Sequence, residues 1–192
     1  MFTRTWFALV ALAVSLAPRV ALAQPAPAGC ANLDQEISAG VDLRERNLDQ
    51  AALDLFLALS RRCPSPRVTA QIGLAEASLE RWFDAHTHLT EALGAAQDPW
   101  ISARHAAVED VLRDVHTHLV EVGPAVAPEG AVVVLDGRRV ASLPQWVMPG
   151  EHSVLVTAPG HRMWRRTMAW RAGERFTTAI TLESDAPPPP ST

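Results

Sequence analysis

The chain has 192 residues, 48% of them hydrophobic and 20% charged, which leaves room for two small globular units with apolar cores. Its 17 basic and 21 acidic side chains give a formal net charge of -4, which argues against a nucleic-acid scaffold. Residues 24–130 hold 8 Arg against 16 acids, whereas residues 131–192 hold 7 Arg against 5 acids. This asymmetry fits either ordinary solvated surfaces on two units or electrostatic docking between them.

Residues 1–23 are typical of a secretory signal peptide. Arg4 lies in a short polar start, a run of Phe, Ala, Leu and Val follows, and small residues precede a cleavage point after Ala23. Pro18 and Arg19 interrupt the apolar run, which leaves too little for a span of roughly 20 residues. We therefore expect an exported chain without a transmembrane segment, located in the periplasm, the cell envelope or outside the cell.

Residues 24–32 form a predicted linker, and residues 33–122 have helical patterning. Leu33, Ile37 and Val41 predict a first helix, and a turn near Asn47 precedes a second one. Asp98 is the predicted N-cap of a fifth, long helix that continues until Gly123-Pro124 stops it.

Two helical hairpins share a spacing of 33 residues. At this spacing Gly40 corresponds to Gly73, Ala52 to Ala85, and Phe56 to a leucine at position 89. Small residues let two helices approach closely, and the large apolar residue fills the space beside them. The pattern is similar to tetratricopeptide repeats, whose period is about 34. In repeat geometry the first helices of each hairpin form a groove, so we predict a partner-binding face at Asp42, Arg44, Arg46, Gln71 and Glu76.

Cys30 precedes the first helix and Cys63 follows the second, so an antiparallel hairpin brings both to its open end. In an oxidising compartment they can form a disulfide. Lipidation of Cys30 after Ala28-Gly29 and two free thiols are the alternatives.

Two near-copies, Asp-x-His-Thr-His-Leu, begin at Asp84 and Asp114. Residues two apart on a helix point about 200° from each other, so neither His-x-His pair can chelate one metal ion. The spacing predicts exposed pairs of Asp84 with His88 and of Asp114 with His118, with zinc shared between helices as the alternative.

Residues 128–183 predict about five short strands separated by turns. The turns are Pro128 to Ala131, Asp136-Gly137, Pro144, Gly150, Gly160-His161 and Gly173-Glu174. Their order, together with the alternating His152-x-Val154-x-Val156, resembles the PEGA domain family, with Ala141 and His161 as departures from the family pattern. The resemblance implies a small antiparallel β-sandwich of transthyretin-like or immunoglobulin-like appearance and brings no established catalytic role. The Pro-rich tail, residues 184–192, is predicted to be disordered.

The strand that follows Gly160 mixes Trp with Arg. Such a strand can bind a glycan, because aromatic rings stack on sugars and arginines pair with their charged groups. The residues concerned are Trp164, Arg165, Trp170 and Arg171. Strand alternation offers the plainer interpretation that Trp164, Met168 and Trp170 pack inward.

The sequence thus predicts an α+β protein of two domains, a short tetratricopeptide-like helical array followed by a PEGA-like β-sandwich. No nucleophile elbow, phosphate-cradling glycine loop, zinc-protease helix or dinucleotide fingerprint occurs in it. We expect a non-enzymatic envelope protein, without cofactor or metal, that binds another envelope protein through its helices. The alternative is a cell-wall glycan or peptidoglycan binder that uses the Trp/Arg strand.

Overall fold

A computed structural model describes residues 30–185. The predicted signal peptide, the linker up to residue 29 and the tail from residue 186 lie outside the described residues. Five helices precede a β-rich region, so the predicted α+β architecture is confirmed. Across residues 30–185, no helix combines the length and apolar character that crossing a membrane requires.

The helical array consists of five consecutive helices. They are α1 (Leu33–Glu45), α2 (Asp49–Arg62), α3 (Pro66–Ser78), α4 (Trp82–Gly94) and α5 (Pro99–Thr117). Ser65 caps α3 by accepting a hydrogen bond from the Val68 amide at 3.3 Å. Asp98 caps α5 as predicted, since its carboxylate accepts from the amides of Trp100 and Ile101 at 2.9 and 3.0 Å.

In each hairpin a glycine of the first helix packs against a large side chain of the second helix. A Cβ placed on Gly40 would lie 2.4 Å from two ring carbons of Phe56, and one on Gly73 would lie 2.8 Å from Leu89 Cγ. Consecutive helices pack together, and in addition α1 contacts α3 and α3 contacts α5. The small residues therefore set the distance between helices, and alternate helices lie next to each other.

A disulfide joins Cys30 to Cys63, whose Cα atoms are 5.4 Å apart. The bond ties the start of α1 to the end of α2, as the hairpin geometry predicted. Neither a lipidated Cys30 nor two free thiols is compatible with it.

Helix α5 ends earlier than the sequence suggested. It stops at Thr117, and Val120–Val122 form a strand, β1, instead of continuing the helix to Gly123. Leu119 continues the apolar spacing of α5, but the following Val-Glu-Val favours extended backbone and finds two strand partners. The apolar residues of β1 follow those of α5 without a break in spacing, so the sequence pattern alone predicts a longer helix and not a strand.

The β-rich region has nine strands, and seven of them lie within residues 128–183, where about five were expected. After β1 they are β2 (Val126–Ala127), β3 (Val132–Leu135), β4 (Arg138–Arg139), β5 (Gln145–Val147), β6 (Gly150–Thr157), β7 (Trp164–Trp170), β8 (Arg175–Phe176) and β9 (Ile180–Thr181). They form sheets with the orders β5-β1-β8, β2-β9 and β4-β3-β6-β7. The four-stranded sheet is antiparallel, whereas β1 pairs with β8 and β2 with β9 in parallel.

The predicted hairpin at Asp136-Gly137 is present. Both residues have positive φ, 51° and 78°, and the strands pair so that Leu135 lies opposite Arg138. One apolar core includes residues from all three sheets, among them Val122, Val154 and Ile180. The sheets therefore enclose a shared core.

Candidate binding site at the junction of helices and sheets

The five residues of the predicted partner face divide into exposed and buried groups. Asp42 and Arg46 are exposed on and just after α1. Arg44 is partly buried and donates a hydrogen bond to Gln71 Oε1 at 3.2 Å, and burial lowers its pKa against the opposing effect of Asp49. Gln71 and Glu76 are 5% and 2% exposed. These two cannot contact a partner at the surface, because Gln71 is buried against α1 and Glu76 is buried against α4.

Glu76 has a specific role inside the array. Its Oε2 lies 2.6 Å from Nδ1 of His88, across the interface between α3 and α4. The hydrogen bond to Glu76 raises the pKa of His88, although burial acts in the opposite direction. The predicted side-chain pair of Asp84 with His88 is wrong, since the Asp84 carboxylate pairs with Arg81 at 3.0 Å and Asp84 acts on His88 only through its backbone. Sequence spacing within one helix could not reveal a partner on the neighbouring helix.

The second His-x-His copy also finds partners outside its own helix. His118 stacks on Trp82 with ring centroids 3.8 Å apart, so the predicted pair with Asp114 is replaced by an aromatic contact. Since α4 and α5 are antiparallel neighbours, the start of one copy faces the end of the other. His86 Nδ1 therefore lies 3.0 Å from His116 Nε2.

Both members of this histidine pair resist protonation. Burial and the neighbouring His116 lower the pKa of His86 to about 4, and burial and Arg175 lower the pKa of His116. Two neutral imidazoles can share one N–H···N hydrogen bond, whereas two imidazolium rings would face each other as donors. Among residues 30–185, no group of three or more His, Cys, Asp or Glu side chains is arranged to hold a metal ion.

Trp146 of β5 joins the β-rich region to the helices. Its ring stacks on His116, with centroids 3.7 Å apart and an angle of 8°, and lies 5.8 Å from His86. It also packs against the apolar core between α4 and α5, which includes Leu89 and Val115. We call the contact of Trp146 with His86 and His116 the junction.

Beside the junction lies a cleft of about 670 Å³ that both parts of the protein line. Its wall on the helical side is Phe83 of α4. Its β-side includes the residues of β4 and β5, namely Arg138, Arg139, Gln145, Trp146 and Val147, together with Val140. The volume lies in the range of about 300 to 1,000 Å³ that is usual for ligand sites.

The Trp/Arg strand, β7, packs largely as alternation predicted. Trp170 is only 8% exposed and lies in the β core, with the rings of His152 and Phe176 each at 5.3 Å. Trp164 is partly buried and packs against the same core, while Arg165 and Arg171 are exposed. The two Trp rings therefore do not form a joint exposed platform for a sugar.

A family model matches part of the chain. No curated protein and no solved structure matches the chain. The family model described as the PEGA domain matches residues 126–185, a stretch that begins after β1 and contains β2 to β9. Both the match and the Cys30–Cys63 disulfide are compatible with an exported protein. Residues 126–185 are thus similar to the PEGA domain family, as the order of turns indicated.

Proposed function

We propose that this protein is a non-enzymatic, exported cell-envelope protein that binds another envelope protein through its helical array. The PEGA-like domain attaches or spaces that array. The observation that carries the proposal is the packing of alternate helices, in which α1 contacts α3 and α3 contacts α5. A row of first helices is the arrangement through which repeat arrays present an extended binding surface.

Repeated contacts support a tetratricopeptide-like interpretation of the array. The buried Ala52 and Ala85 and the two glycine contacts recur at the spacing noted above. Each hairpin alone would leave an apolar face uncovered, and stacking of the hairpins covers these faces in neighbouring apolar clusters.

The binding surface that we propose is smaller than the set derived from the sequence. Asp42 and Arg46 are its exposed charged members, and Arg44 contributes from a partly buried position. Gln71 and Glu76 support this surface from inside.

Site-specific photo-crosslinking in the exporting host tests the proposal. A photoreactive residue at Asp42 should give discrete adducts with envelope proteins, whereas one at Asp54, which is exposed on α2, should give none. Equal adducts at both positions would contradict a binding face on α1.

A matched pair of double variants separates binding from folding. Asp42→Ala with Arg46→Ala removes one charge of each sign, and so does Asp54→Ala with Arg61→Ala on α2. We expect the first variant to reduce capture of the crosslinked partner about tenfold, because two surface contacts of this kind contribute about 0.5 to 1 kcal/mol each. The second should capture the partner like the original protein, and both should unfold at the original urea concentration.

A further inference from the structure

The cleft beside the junction has an apolar wall that is left open. Phe83 is 46% exposed although it belongs to a helix whose other large apolar residues are mostly covered. Val140, Trp146 and Val147 are partly buried and line the same cavity. These side chains can take up apolar groups of a ligand.

The rim of the cleft carries two arginines without partners. Within the part of the chain that the structure describes, neither Arg138 nor Arg139 forms an ion pair or a side-chain hydrogen bond. The acidic residue closest to them in sequence, Asp136, lines the same cleft, but its carboxylate already has partners within the protein. Its carboxylate accepts a hydrogen bond from the Ser153 amide at 2.8 Å and lies 2.6 Å from Nδ1 of His152. The two guanidinium groups are thus free to bind carboxylates from outside.

Two edge strands, β4 and β5, also contribute residues to the cleft. Among the described residues, β4 pairs only with β3 and β5 pairs only with β1, so each strand has one edge without a neighbour. An edge strand offers backbone N–H and C=O groups to an extended polypeptide, which a polysaccharide cannot match in register. The apolar wall likewise favours a ligand with alternating apolar and acidic side chains.

We infer that this cleft binds an extended acidic segment of a partner polypeptide, whose carboxylates pair with Arg138 and Arg139 and whose apolar side chains pack against Phe83 and Trp146. The inference goes beyond the proposed function, because it needs neither Asp42 nor Arg46. It assigns the basic character of the second half of the chain to recognition of a ligand from outside.

Fluorescence anisotropy with short labelled peptides tests the inference on the purified protein. The probe is Glu-Leu-Asp-Val-Glu-Leu-Asp, and its matched control is the uncharged Gln-Leu-Asn-Val-Gln-Leu-Asn. We expect the acidic peptide to bind at least about tenfold more tightly at low salt and to lose this preference as salt screens the charges. Equal binding of the two peptides, or binding of neither, would overturn the inference.

Variants locate the binding. Arg138→Ala with Arg139→Ala should abolish the preference for the acidic peptide, whereas Arg165→Ala with Arg171→Ala removes two exposed arginines outside the cleft and should leave it intact. Phe83→Ser should weaken the binding of both peptides to the same extent. Loss of the preference in the control variant would show that net charge, and not the cleft, attracts the peptide.

Two further arms distinguish other outcomes. Polygalacturonate probes an anionic glycan, and if it binds more tightly than the peptide and depends on Arg138 and Arg139, the assignment to a polypeptide is overturned. Asp42→Ala with Arg46→Ala should leave peptide binding unchanged, so that failure of the helical binding face and failure of the cleft are seen separately.

Discussion

The contact between Gly40 and Phe56 gives the sharpest prediction about the helical array. In Gly40→Ala the new methyl group would lie 2.4 Å from two ring carbons of Phe56, about 1 Å closer than an ordinary van der Waals contact allows. Phe56 is 0% exposed, so its ring can give way only by displacing other core residues. Overpacking of this kind costs about 1 to 3 kcal/mol, and the higher helix propensity of alanine offsets about 1 kcal/mol. We expect a net loss of up to about 2 kcal/mol in the free energy of unfolding, which is about 1 to 3 kcal/mol below that of a glycine-to-alanine variant without the clash.

Urea unfolding followed by circular dichroism measures this loss, and Gly94→Ala is the matched control. A Cβ on Gly94 would meet no atom within 4 Å, so this variant should be as stable as the original or more stable by up to about 1 kcal/mol. Phe56→Leu should recover part of the loss when it is combined with Gly40→Ala, because the smaller side chain makes room. If Gly40→Ala is as stable as Gly94→Ala, the close packing of α1 on α2 is refuted.

Three further predictions concern buried charge, acid and the disulfide. His88→Ala should cost about 2 to 4 kcal/mol in urea unfolding, because it leaves the Glu76 carboxylate buried without its partner, and adding Glu76→Gln should recover part of the loss. The free energy of unfolding should fall by about 1 to 2 kcal/mol as pH drops from 6.5 towards 4, after allowance for partial solvent exposure, because unfolded His86 binds a proton that the folded residue with its lowered pKa does not. His86→Gln should flatten this slope. Replacing Cys30 and Cys63 together by Ser should lower stability by about 3 kcal/mol, and reductant should have the same effect on the original protein.

Each of these predictions has a clear contrary result. A cost below about 0.5 kcal/mol for His88→Ala would show that the Glu76 carboxylate is hydrated. His88, whose pKa is raised, contributes stability that is lost as pH rises, so the comparison with His86→Gln is needed to isolate the opposite contribution of His86. If the free energy of unfolding of His86→Gln depends on pH as steeply as that of the original protein, His86 does not cause the loss of stability in acid. A double Ser variant with the stability of the original would mean that the disulfide does not constrain the unfolded chain.

Local patterns in the sequence predicted much of the helical part. The close-packed hairpin was predicted from two small residues, Gly40 and Ala52, and the large Phe56. The capping residue Asp98 predicted the start of α5. The Cys30–Cys63 bond followed from the same hairpin geometry. Such features depend on neighbours within one or two helices, which is why spacing alone reveals them.

The candidate site depends on contacts between distant segments and could not be predicted in the same way. Glu76 was expected at the surface because it lies on a first helix, yet it is buried against His88. The junction unites β5 with α4 and α5, and neither Trp146 nor His116 carries a local signal for the other. The near-copies of the His-x-His motif predicted pairs within each helix, and only the antiparallel packing of α4 and α5 decides that His86 meets His116.

The central claim is that the helical array and the β-rich region pack against each other at the junction and together form the cleft. Nuclear Overhauser effects between the Trp146 indole and the His116 imidazole test it most directly, because the two ring centroids are 3.7 Å apart. The account predicts strong effects between these rings at pH 7, together with an upfield ring-current shift of the His116 protons. Absence of both, with His116 protons at the positions of an exposed histidine, would contradict it.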